Sequence, residues 1–67
     1  MEFAAKLREL RGESSQEAAA ASVGVTKSAW AMYERGERVP RDAVKVRIAR
    51  YYGVSVEELF FAEVEHK

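Results

Sequence analysis

Four glycines, Gly12, Gly24, Gly36 and Gly53, cut this chain into short stretches, and each follows a run of residues that suits a helix. A glycine just past a helix end takes the left-handed conformation without a side-chain clash, so these positions read as stops. The spacing predicts about five short helices. β-branched residues are scattered, and no alternation of polar and apolar residues runs long enough to make a strand. At 67 residues the chain is read as one domain, residues 1–67, near the lower size limit for a core that holds a fold unaided. Cysteine is absent, so neither a disulfide nor a thiolate metal site can assist. Helix packing, or dimerisation, must carry the stability.

The helices can be placed from their ends and apolar faces. The first runs from Glu2 to Arg11, with Phe3, Leu7 and Leu10 on one side. The second opens at "SSQE", where Ser14 as N-cap and Glu17 three residues on make a capping box, and runs through the alanines to about Ser22. Thr26 caps the third, which carries Trp30 and Tyr33 on its inner side and ends at "ERG". "ERVP" is a turn, because proline is excluded from a helix interior but favoured in a first turn. The fourth spans about Arg41 to Tyr52, with Val44, Ile48 and Tyr52 as its inner row. A second capping box, Ser55 with Glu58, starts the fifth, and Val54 and Leu59 are placed to form a hydrophobic staple.

Formal net charge is +0, but the total conceals a gradient. Residues 26–50 hold Lys27, Arg35, Arg38, Arg41, Lys45, Arg47 and Arg50 against Glu34, Glu37 and Asp42, whereas acid dominates after Tyr52. Several function classes lose support. His66 stands with no second histidine or cysteine to share a metal, so no metal site and no cofactor are expected. There is no phosphate-binding glycine loop, no serine paired with a base and no histidine near carboxylates, which argues against an enzyme. Apolar runs are too short for a membrane span, and "MEFAAKLREL" is too charged for a signal peptide. A cytoplasmic protein without a small-molecule ligand or membrane partner is expected.

Two short helices joined by a three-residue turn containing glycine describe a helix-turn-helix, whose second helix enters the DNA major groove. Ala20 falls where the two helices cross, Gly24 falls in the turn, and Val23, Val25, Trp30 and Tyr33 take the inward positions. "SQEAAAASVGVTKSAWAMYERGERVP" followed by "KVRIARYYGVSVEELF" resembles the Cro/C1-type (XRE) helix-turn-helix family of phage and bacterial repressors over nearly the whole chain. The matching features are a glutamine opening helix 2, "GV" in the turn, an aromatic before "ERG", and the closing "GVSVEEL".

The resemblance implies an all-α, lambda-repressor-like domain that binds double-stranded DNA. Lys27, Ser28 and Met32 would meet base edges: lysine suits guanine, serine is permissive, and methionine can touch only a thymine methyl or groove shape. Gln16 and Thr26 resemble the family's phosphate contacts at helix N-termini, and Arg35 and Arg38 would meet the flanking backbone. Glu34 resembles the acid that pairs with a helix 1 arginine, here Arg11, a structural pair of small worth if exposed. Family habit implies a repressor rather than an activator, acting as a homodimer on a near-palindromic operator. Phe61 and Val64 are the residues assigned to the dimer contact.

The chain departs from the commoner pattern in three places. The loop before Gln16 is short, Ala19 replaces a leucine, and Trp30 replaces an aliphatic residue. The last two read as one repacked core, a small residue making room for a large one. Ala29 and Ala31 leave a thin reading surface, so specificity would rest partly on DNA shape. The alternative reading is an antitoxin- or antirepressor-type interaction module of the same fold. Balanced charge and the alanine-rich reader favour it, and Lys27, Arg35 and Arg38 oppose it.

Overall fold

A computed structural model describes residues 2–60, so Phe61, Val64 and His66 lie outside the described residues. Five helices follow in order: α1 (Glu2–Arg11), α2 (Gln16–Val23), α3 (Lys27–Glu34), α4 (Asp42–Tyr52) and α5 (Val56–Phe60). Among the described residues there is no strand, and the fold is all-α.

The helix ends form where local chemistry favours them. Gly24 and Gly53 sit at φ 76° and 70° after α2 and α4, and in each case the glycine amide and the next one close the preceding turn. Thr26 caps α3 by accepting the Ala29 N–H at 3.1 Å. At α5 the capping box is complete: Glu58 N–H donates to Ser55 Oγ at 2.9 Å, and Ser55 N–H donates to Glu58 Oε1 at 3.1 Å. The α2 cap differs by one residue from the sequence expectation. Ser15, not Ser14, is the N-cap, and its Oγ accepts from Ala18 N at 3.0 Å. The third helical position is then Ala18, which has no carboxylate to answer the cap, so no reciprocal box forms with Glu17.

One core joins all five helices. Phe3 and Leu7 of α1, Ala19, Ala20 and Val23 of α2, Trp30 and Tyr33 of α3, Val44 and Ile48 of α4, and Leu59 of α5 form a single buried cluster. The small Ala19 and the large Trp30 belong to that same cluster. Leu10, Val25, Tyr52 and Val54 pack at its margin, as does Phe60. Helix α3 is central: it packs on α2 and α1, while α4 backs α2 and α5 ties α1 to α4. The Phe3 and Phe60 rings meet at 5.5 Å between centroids, which joins the first helix to the last. No helix among the described residues is long and apolar enough to cross a membrane.

Ile48 is 0% exposed and lies in the row that binds α4 to the rest. Ile48→Ala is expected to destabilise the fold by about 2–5 kcal/mol, read from urea denaturation, which is a large share of what so small a core supplies. A loss below about 1 kcal/mol would mean that α4 is not part of the core as described.

Candidate nucleic-acid interface

Helix α3 has an inner and an outer life. Trp30 and Tyr33 point into the core, while Lys27 and Ser28, at the opposite side of its first turn, are exposed. Met32, four residues after Ser28 and therefore on the same face, is half-buried. Thr26 is exposed and spends its hydroxyl oxygen on the Ala29 amide, which leaves its proton free to donate outward. As first residues of the helix, Lys27 and Ser28 also present backbone N–H groups with no intrahelical partner.

Charge at this helix end runs against helix stability. Acidic residues occupy the first turn of α2 (Glu17), α4 (Asp42) and α5 (Glu57, Glu58), where they complement the positive helix pole. The first turn of α3 has none and begins instead with Lys27. A lysine there adds positive charge to a positive pole, an arrangement suited to an anion that comes from outside.

Behind this surface lies a buried carboxylate. Glu34, at the end of α3, is 2% exposed. Arg11 of α1 grips it with two bonds, Nε to Oε2 at 2.6 Å and Nη2 to Oε1 at 3.1 Å. Gln16 of α2 donates its amide to Oε1 at 3.0 Å, and the Trp30 indole N–H donates to Oε2. Arg8 adds a hydrogen bond to the Glu34 carbonyl. Burial pushes the carboxyl pKa up, but the hydrogen bonds from Arg11, Gln16 and Trp30 and the charge of Arg11 outweigh it, so Glu34 is held below the ordinary glutamate value. The expected Arg11–Glu34 pair is therefore present but not exposed, and the small worth attached to an exposed pair does not apply.

The remaining assigned residues are placed less uniformly. Gln16 is half-buried and gives one amide hydrogen to Glu34, which leaves one for an outside acceptor. Arg35 forms a two-bond pair with Glu37, Nε to Oε2 at 2.9 Å and Nη2 to Oε1 at 3.1 Å, with both side chains more than half exposed. Arg38 is exposed. Sequence reasoning missed the roles of Gln16 and Trp30 as Glu34 donors. It also missed Arg47 of α4, whose Nε donates to the Val23 carbonyl at 2.8 Å.

With two short helices set at a Gly24 turn, and the second one packed on its inner side and basic at its outer tip, the architecture is that of a helix-turn-helix. A family model described as a helix-turn-helix domain matches residues 2–60. The chain belongs to that helix-turn-helix family. The transcriptional repressor RstR of the cryptic phage CTXphi, from Vibrio cholerae, is 37% identical to it over 59 residues, covering 85% of this chain and 53% of the repressor. The chain thus spans about half the length of the curated relative it matches. Both findings agree with the Cro/C1-type repressor resemblance read from the sequence. No solved structure matches this chain.

Because Glu34 has a lowered pKa in the folded state, its stabilisation is fully present above the ordinary glutamate value and is lost as pH falls through the lowered one. Urea midpoints measured from pH 6 down to pH 2 are expected to decline, and Glu34→Gln should flatten that acid limb. Arg11→Met, which leaves the carboxylate buried without its cation, is expected to cost about 3 kcal/mol at neutral pH, near the low end for a broken buried pair because Arg11 is partly exposed.

Proposed function

We propose that this domain binds double-stranded DNA sequence-specifically and regulates transcription as a repressor, with α3 in the major groove. The observation that carries the proposal is the N-terminus of α3, where an exposed Lys27 replaces the acid found in the first turns of α2, α4 and α5. Family membership and the repressor named among its relatives support the same reading.

In this reading Lys27 and Ser28 meet base edges, lysine bonding to guanine O6 and N7. Met32 contributes apolar contact with a thymine methyl or the groove wall. Gln16 uses its second amide hydrogen, and Thr26 its hydroxyl proton, on backbone phosphates beside the free amides of the two helix starts. Arg35 and Arg38 meet the flanking backbone. For Arg35 this means leaving Glu37, a small sacrifice because an exposed pair contributes little. The domain works as a homodimer on a near-palindromic operator, since one short helix reads only a half-site. Phe61 and Val64 are the proposed contacts between copies.

Selection from a random duplex library at near-physiological salt tests the proposal, since such salt suppresses non-specific phosphate binding. An inverted repeat with half-sites about one helical turn apart is expected. Lys27→Ala should then lose preference at one base position by about 1–3 kcal/mol. Lys27→Glu should abolish binding while holding or raising the melting temperature, because acid suits a helix N-terminus. Weak binding that falls with salt alike on every duplex would instead favour the protein-interaction reading.

A further inference from the structure

Arg47 belongs to the basic stretch of residues 26–50 and is exposed overall, yet its guanidinium folds back onto the corner between α2 and α3. Nε donates at 2.8 Å to the carbonyl of Val23, the last residue of α2. That carbonyl needs a partner. At the end of α2 the Ala20 and Ala21 carbonyls accept from Val25 and Gly24, at 3.0 and 3.3 Å, and the final carbonyls of a helix have no further amide to meet. Helix α2 carries no basic residue in its own last turn to balance its negative pole. Arg47 supplies that charge from α4.

The same guanidinium lies over the turn. A Cβ at Gly24 would stand 3.5 Å from Arg47 Nε, 3.7 Å from Nη2 and 3.8 Å from Cζ. Only Gly24, Val25 and Thr26 separate the end of α2 from the start of α3. Movement at Val23 therefore passes directly to Thr26 and Lys27.

We propose that Arg47 is a positioning residue for DNA reading: it clamps α4 to the corner between α2 and α3 and so fixes the direction in which Lys27 and Ser28 are presented. The proposal rests on the DNA-binding reading above. Arg47 acts through the Val23 carbonyl and the Gly24 turn, without touching DNA itself.

The test compares wild type with Arg47→Met, which keeps the aliphatic stem, and Arg47→Lys, which keeps a charge and a donor. Each is measured below its melting temperature against the selected operator and a random duplex over a range of salt, and by amide NMR spectra of the free protein. Arg47→Met is expected to weaken operator binding roughly tenfold or more, the scale of a lost charged hydrogen bond. Random-duplex affinity and the salt slope should stay as in wild type, the amides of Gly24 to Ser28 should shift, and Arg47→Lys should recover most of the affinity. A salt slope lower by about one, with both duplexes weakened alike, would make Arg47 a phosphate contact and overturn the proposal. Reduced stability with operator affinity unchanged would overturn it too. If wild type selects no operator, the DNA-binding reading itself fails and this role falls with it, even where the amide shifts reveal the clamp.

Discussion

A carboxylate taken out of water must be met by donors, and the donors that meet Glu34 come from three different helices. Arg11 reaches it from α1, Gln16 from α2, and Trp30 from within α3, while Arg8 of α1 bonds the adjacent carbonyl. Each bond has a direction, so the carboxylate fixes orientations that apolar packing alone leaves loose. Leu7, Ile48 and Trp30 hold the helices together, and Glu34 sets how they are turned. In a domain this small the two effects have to agree. A slip of α3 along its axis would leave a buried charge short of its partners at a cost of several kcal/mol.

This arrangement would let a helix of eight residues serve in the proposed reading role. In isolation so short a helix would not hold its shape in water. Here its far end is anchored by Glu34, its inner side by Trp30 and Tyr33, and its near end by the Thr26 cap. The outer tip is then free to carry Lys27, a residue that lowers helix stability slightly and is suited to an anion. Gln16 joins the two halves of the design, since it bonds the buried carboxylate and stands at the first position of α2, where phosphate is expected to lie.

Much of the fold could be read from the sequence because its determinants are local. The Gly24 and Gly53 stops, the Thr26 cap and the Ser55–Glu58 box each act over five positions or fewer. The one-residue error at α2 has an equally local cause: two adjacent serines can each cap, and Glu17 favoured the wrong one by offering a box. Long-range polar contacts were less legible. Pairing of Arg11 with Glu34 followed from family resemblance, but its burial depends on how α1 packs against α3. Gln16 and Arg47 carried no such signal, because Gln16 reads as a phosphate contact and Arg47 only as one charge of the basic stretch. Their observed partners lie 18 and 24 positions away in the chain.

In the proposed function, α3 is held in its final shape before any DNA arrives. Hydrogen exchange of the free protein, resolved to the α3 amides and the Trp30 indole N–H, tests it most directly. These hydrogens are expected to exchange only through global unfolding, with the same opening free energy as the core amides of α1 and α4. Exchange from α3 by local opening, well before α1 and α4 are lost, would contradict it. The recognition helix would then be ordered by DNA, and the buried carboxylate would not be what orders it.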